Sequence, residues 1–399
     1  MRNGGGAPLS RRARSIQVSP TVAMAQRAAA LKAEGRRILD FSVGEPDQGT
    51  PAPITEAAVS ALHAGRTRYA PAAGVPELRA AVARRYLATG KVAFTPAEVG
   101  VTVGGKQALY LACQALLGRG DDVVVPTPHW PTFAECVRLA GARPVFAQTK
   151  ESEGFRVTAR LIGRSLTPRT RAVILNSPSN PTGAVVDPGE LMALARLARR
   201  RGVTLLYDDT YARLGFGAPS PDLQAARDAA GDRFVVIGTA SKTFCMTGWR
   251  IGWVLGPAAL VEACAALVSH STQGPSTFVQ FAAAEALDGP QDLVDALAAE
   301  YRRRRDFVHP AVSAIPGVTC VRPDGGFYVF PNLQAFLDRR TPTTLALVSR
   351  LLEEQGVALV AGEGFGAPGY ARLSFARPME ELREGVERIA AFLGGLGRG

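Results

Sequence analysis

Short apolar runs punctuate the chain at 99–103, 123–125, 172–175, 203–207, 234–237 and 251–255. Each is too short for a helix and is bounded by turn-forming residues, so each predicts a buried strand. Longer alanine-rich stretches predict helices at 55–64 and 75–87, with another opening at Gly104. Ser19-Pro20-Thr21 starts a helical run to about Glu34, and Gly35 follows its end. Proline near the start and glycine past the end are the expected punctuation of a helix. Residues 38–43 read as a short strand or extended piece, and Thr95-Pro96-Ala97-Glu98 reads as a capping box. Strands alternating with helices predict an α/β fold, its large domain built on a mainly parallel, doubly wound sheet. After 289 the rhythm changes. A long charged helix leads into strand-like 317–321, 326–330 and 371–375, with helices at 343–355 and 379–393. This predicts a smaller α+β domain over 290–399, completed by 18–49, beside a large domain over 50–289. Residues 1–17, rich in Gly, Arg and Ser, read as a mobile tail.

At 399 residues and 47% hydrophobic, the chain has enough apolar side chains for two such cores. Its net charge of +11 raises anionic partners. The arginines are scattered, however, and the densest runs, 199–201 and 302–305, read as solvated helix faces or ends. No basic groove interleaved with aromatics is evident, so no nucleic-acid partner is expected. The five cysteines and four histidines show no metal spacing, and no metal is expected. Unpaired thiols, no signal-peptide core and no membrane-length apolar run point to the cytoplasm.

The most informative stretch is Gly238-Thr239-Ala240-Ser241-Lys242-Thr243-Phe244-Cys245-Met246-Thr247-Gly248-Trp249-Arg250. A lysine between two buried strands is costly unless its amine is neutral or bonded. A Schiff base to an aldehyde cofactor needs such an amine, with hydroxyls and an arginine nearby for a phosphate. The plain alternative is a surface lysine on a loop. Only five of the 46 Lys+Arg are lysines, and arginine cannot form an imine, so a lysine retained here is informative. Gly104-Gly105-Lys106 between a strand and a helix is either a phosphate site at a helix N-terminus or a turn required only for packing. Trp130, on a proline-rich loop at a strand end, either stacks on a planar group or belongs to the core. Asp208 ends an apolar strand, where a carboxylate needs a cationic or donor partner. These candidates fall at strand C-terminal ends, where open α/β sheets bind ligands.

Together, Ser241-Lys242, Met246-Thr247-Gly248-Trp249-Arg250 and Asn180-Pro181-Thr182-Gly183 resemble the fold-type I, class I aminotransferases that use pyridoxal 5'-phosphate. The likeness runs from about Val18 to Leu393. It implies that Lys242 forms the internal aldimine and then moves the proton between Cα and C4′. It implies that Asp208 faces the pyridine nitrogen, that Tyr211 and Asn180 bond the phenolic oxygen, and that Trp130 stacks on the ring. Arg250, Thr239, Ser241 and the N–H groups of Gly105 and Lys106 would hold the phosphate. Tyr69 would reach the phosphate of a neighbouring subunit, implying a homodimer with shared active sites. Arg372 would clamp the substrate α-carboxylate, with Gly44 beside it.

Gly104-Gly105-Lys106-Gln107 and Ser19-Pro20-Thr21 resemble the bacterial aspartate and prephenate aminotransferase branch. By that likeness Lys106, Ser19 and Thr21 contact a side-chain carboxylate, favouring aspartate or glutamate with a 2-oxo acid as acceptor, in a ping-pong exchange. Three positions depart from the branch: Gln48-Gly49 after Gly-Glu-Pro-Asp, His129 before Trp130, and Asp209 where glutamate is usual. Two other readings stay open. One is the same scaffold running elimination, replacement, cyclisation or carbon–carbon bond formation. The other is a catalytically silent binder or regulator.

Overall fold

The computed structural model describes residues 9, 10, 13, 14, 16, 19–90, 92–219 and 221–396. Most of the expected 1–17 tail lies outside the described residues. In chain order the strands are β1 (Leu39–Asp40), β2 (Val99–Thr102), β3 (Asp122–Thr127), β4 (Arg143–Gln148), β5 (Thr170–Asn176), β6 (Thr204–Asp208), β7 (Phe234–Thr239), β8 (Gly252–Leu255), β9 (Tyr328–Val329), β10 (Val357–Ala358), β11 (Val360–Ala361) and β12 (Ala371–Ser374). Seven form one sheet in the order β2-β8-β7-β6-β5-β3-β4. Only β8 runs antiparallel to its neighbours; every other pairing is parallel.

Strand alternation splits the apolar side chains between two faces. Val124, Val173, Leu205 and Val236 point into one core, and Val123, Ile174, Leu206 and Ile237 into the other. Both faces are therefore covered, which is why these strands read as continuous apolar runs rather than alternating ones. Edge strand β4 carries only the short apolar stretch Val145-Phe146-Ala147, set behind a proline. Arg143 and Gln148 are exposed there, and Pro144 is tolerated because one side of the strand is unpaired. It escapes sequence reading for that reason.

The remaining strands are short. β1 pairs in parallel with β10, and β11-β12-β9 form an antiparallel sheet. Helix Pro20–Ala33 and β1 share a core with the C-terminal chain: Met24, Leu39 and Phe41 cluster with Val308, Leu351 and Ile389. The expected strand at 317–321 is not formed; Thr319 makes a single bridge to Asn332.

The arginine run at 302–305 is only partly the solvated face expected. Arg304 and Arg305 are buried in helix Asp292–Ser313. Arg304 Nη1 donates to Asp47 Oδ1 at 2.8 Å and its Nε to Glu300 Oε1 at 2.7 Å. That pair ties the Gly44–Asp47 turn to the long helix, and two acidic partners make the buried charge tolerable. Arg305 donates to the Pro323 carbonyl and lies 4.7 Å over the Phe216 ring. The 199–201 run is exposed, as expected.

Candidate active site

The C-terminal ends of β5, β6 and β7 open onto a cavity of about 480 Å³. Of the residues singled out in the sequence, it gathers all but Tyr69.

One end is glycine-shaped. Helix Gly104–Leu116 begins against the turn after β7. Gly104 has φ +79°, and a side-chain carbon there would lie 2.5 Å from Arg250 Nη2. A side chain at Gly252 would lie 2.5 Å from the Gly105 nitrogen. Both glycines thus allow a close approach of backbone and guanidinium. The Thr239 and Ser241 hydroxyls sit 2.9 Å apart, facing the helix start. Arg250 is itself left-handed, φ +55°, and its Nη1 donates to the Thr247 carbonyl at 2.7 Å. Helix N–H groups, two hydroxyls and an arginine make a ready cradle for a phosphate.

Lys242 stands at the centre. Its Nζ donates to the Gly44 carbonyl at 2.8 Å. Burial, above all, brings its amine down to about 8; nearby Glu45 opposes this, and Arg250, Arg372 and Lys106 add to it. Asp208 is buried at the end of β6, with Oδ1 accepting from Thr210 N at 3.0 Å. Burial raises its pKa, so its charge calls for a cation in the cavity. Trp130 precedes helix Pro131–Leu139, and Lys106 Nζ lies 5.3 Å over its ring.

The opposite end is assembled from distant stretches. Arg372 on β12 is only 2% exposed. Its Nη1 donates to Asn180 Oδ1 at 3.1 Å and its Nη2 to the Ser42 carbonyl at 2.7 Å. Its buried Nε has no partner, and no carboxylate pairs with it among the described residues. An unneutralised buried guanidinium is costly, and an incoming carboxylate removes that cost. Ser19 stands at the N-cap position of helix Pro20–Ala33 with no side-chain cap bond, and among the described residues the buried Thr21 hydroxyl likewise has no partner.

Tyr328 was missed. Its hydroxyl lies 3.0 Å from that of Tyr211, and its ring lies 4.4 Å under the Arg372 guanidinium. The 326–330 run reads only as a strand, and nothing local marks its tyrosine. Tyr69 lies away from the cavity and is 91% exposed. None of the three departures lines the cavity. Gln48 and Gly49 border an adjoining surface hollow shared with Arg250. His129 is buried beside Phe146, and Asp209 faces the rear of the sheet.

The model of the family "Aminotransferase class I and II" matches residues 36–389. The chain belongs to this family. It is similar to an aspartate aminotransferase of Geobacillus stearothermophilus, at 40% identity over 394 residues, covering 96% of this chain and 98% of the relative. It is 41% identical to an aspartate/prephenate aminotransferase of Thermus thermophilus, covering 97% and 99%. The solved structure of the Thermus thermophilus aspartate aminotransferase with maleate superposes with a TM-score of 0.92 at 40% identity, covering 97% of this chain and all of that one. This aminotransferase is a pyridoxal-phosphate-dependent enzyme moving amino groups between amino and 2-oxo acids. The readings of other chemistry on the same scaffold and of a silent binder are not favoured by these relatives. Its site fits the cofactor: a glycine cradle for phosphate, a buried carboxylate with no cation paired to it among the described residues, and a lysine of lowered pKa. No helix among the described residues is long and apolar enough to cross a membrane.

Proposed function

We propose that the enzyme takes aspartate or glutamate as amino donor in a ping-pong exchange with a 2-oxo acid. The observation carrying this reading is a set of unmet donors around one cavity: Arg372 Nε, and the Thr21 hydroxyl on the side of Ser19 and Lys106. Every substrate brings an α-carboxylate, which suits Arg372 through a bidentate pair beside Gly44. An acidic substrate brings a second carboxylate, which suits Lys106, Ser19 and Thr21.

When bound, pyridoxal phosphate supplies an aldehyde and an electron-withdrawing ring. Lys242 is assigned the attachment and then the proton transfer at the substrate α-carbon. An amine at about 8 holds and releases a proton near neutral pH, and the Gly44 carbonyl orients it. Asp208 would hold the ring-nitrogen proton. Tyr211 and Asn180 would donate to the phenolic oxygen, and Trp130 would cover the ring. Arg250, Thr239, Ser241 and the N–H groups of Gly105 and Lys106 would hold the phosphate.

Tyr69, exposed in this chain, is assigned to a neighbouring subunit's phosphate in a homodimer with shared sites. A cytoplasmic setting accords with five cysteines that are all free. A large domain over 50–289 and a small one over 290–399, completed by 18–49, accord with the N-terminal and C-terminal chain sharing one core.

The test is a half-reaction. The loaded enzyme receives single amino acids while the visible band of its cofactor is followed. Loss of the band with aspartate or glutamate, restored by a 2-oxo acid, is the expected result. Loss only with other amino acids would remove the acidic assignment. Ammonia release, without recovery by any oxo acid, would remove amino transfer as the reaction.

A further inference from the structure

Asp208 and Asp209 are consecutive at a strand end, so their side chains leave on opposite faces. Asp208 lines the active-site cavity, and Asp209 lines a rear cavity of about 600 Å³. Exposed Thr89 and Gly217 stand at the rear cavity's rim, so Asp209 faces a cavity open to solvent, and Thr239 lines both cavities.

Asp209 is buried and held by a directional relay. Tyr86 OH donates to Asp209 Oδ2 at 2.7 Å, and Trp253 Nε1 donates to Tyr86 OH at 3.1 Å. An indole N–H can only donate, so the phenol oxygen accepts there and commits its one proton to Asp209. Oδ2 therefore stays bare, and any proton on the carboxyl sits on Oδ1. Gly238 makes the room: a side-chain carbon there would collide with Trp253 Nε1 and lie 2.5 Å from the Tyr86 oxygen.

The ionisable groups around Asp209 are Tyr86 from helix Pro76–Gly90, Tyr207 and Asp208 from β6, and Arg85 and Arg213 on the cavity wall. Arg213 is already paired with Asp295 at 2.8 Å. Among the described residues no cation pairs with Asp209. Burial, above all, pushes its carboxyl up to about 7; the Tyr86 bond opposes this, and the Asp208 charge adds to it.

We propose that Asp209, held by the Tyr86–Trp253 relay, is a positioning residue that sets, through Asp208, how firmly the cofactor's ring nitrogen keeps its proton. The inference rests on reading Asp208 as that nitrogen's partner. Coupling between two charges is reciprocal: if Asp208 strengthens the proton on Asp209, an ionised Asp209 strengthens the proton held at Asp208. Asp209 is neutral on the acid side and gains its charge as pH climbs. A second negative charge then stands behind Asp208 where the ring nitrogen would otherwise begin to lose its proton.

The experiment uses holoenzyme with ¹⁵N-indole tryptophan and cofactor labelled with ¹⁵N in the ring. The Trp253 signal is assigned by its loss in Trp253→Phe. In the wild type this signal should move with pH as Asp209 ionises, and in Asp209→Asn it should stand still. The ring nitrogen should lose its proton at lower pH in Asp209→Asn, the alkaline limb of kcat/KM should shift with it, and Asp209→Glu should restore both. If Asp209→Asn does not fold, Tyr86→Phe serves instead. Without that bond Asp209 ionises at higher pH, and the ring-nitrogen titration should shift toward the acid side. A wild-type Trp253 signal that ignores pH, or a ring nitrogen titrating alike in wild type and variant, overturns the proposal. Asp208→Asn is the control: a ring nitrogen indifferent to it would instead remove the Asp208 assignment itself.

Discussion

The two ends of the active-site cavity are built on opposite plans. The phosphate end comes from two stretches, 104–106 and 239–250, locked by glycines and by hydroxyls already bonded to one another. The carboxylate end draws on Ser19, Thr21, Ser42, Gly44, Asn180, Tyr328 and Arg372, and it leaves buried donors unmet. On the proposed assignments, the first end is preorganised for a ligand that stays. The second would then carry an electrostatic debt that each substrate discharges and each product restores, which suits a ligand that must come and go.

Substitutions at the two ends should therefore fail in different ways. The largest effect is expected at Lys242, which serves both. Lys242→Met should lower kcat by at least about 10³-fold while leaving the fold intact by circular dichroism. Cofactor still trapped by borohydride on another lysine would refute the assignment. The same variant tests the cost of the buried amine. Its folded pKa of about 8 lies below the usual 10.5, so between these values the unfolded chain binds more protons and stability rises with pH. Below about pH 8 the penalty is present in full. The apo variant should gain stability there, on the order of 2 kcal/mol or less given partial hydration, and the gain should fade toward pH 10 in thermal melts.

Arg372→Ala should cost about 10²–10³-fold in kcat/KM for every amino acid, carried mainly by KM. Damage confined to some substrates would make Arg372 a side-chain reader and undo the contrast drawn here. Lys106→Gln should cost about tenfold or more for aspartate and glutamate and little for neutral amino acids. An equal loss for all substrates would return Lys106 to the phosphate end. The smallest effect is expected from Gly104→Ala, which strains a left-handed turn and crowds Arg250. Cofactor affinity should fall by about tenfold with substrate KM unchanged, as read by equilibrium dialysis of the cofactor.

Much of this is legible in the sequence. Buried strands on a doubly wound sheet carry unbroken apolar runs, so six of the seven were marked by composition alone. The phosphate end could be read because its parts are sequence neighbours. Strand, paired glycines and helix start form a local grammar, as do lysine, hydroxyls and arginine within thirteen residues. Arg372 and Asn180 are placed only by resemblance, because nothing beside either of them in the chain states its partner.

Other features belong to the tertiary structure alone. Tyr328 meets Tyr211 across 117 positions, and Arg372 meets Ser42 across 330. Arg304 and Arg305 look like solvent-facing charges until Asp47 and the Phe216 ring come to them from elsewhere. The same holds for the rear relay, where Gly238, Tyr86 and Trp253 converge on Asp209 from three elements. Periodicity and turn chemistry act over a few residues, so the sequence by itself determined most of the elements and the local stretches proposed as the cofactor's cradle. Which charges are buried, and which donors are left waiting, depends on long-range packing, and only the fold decided that.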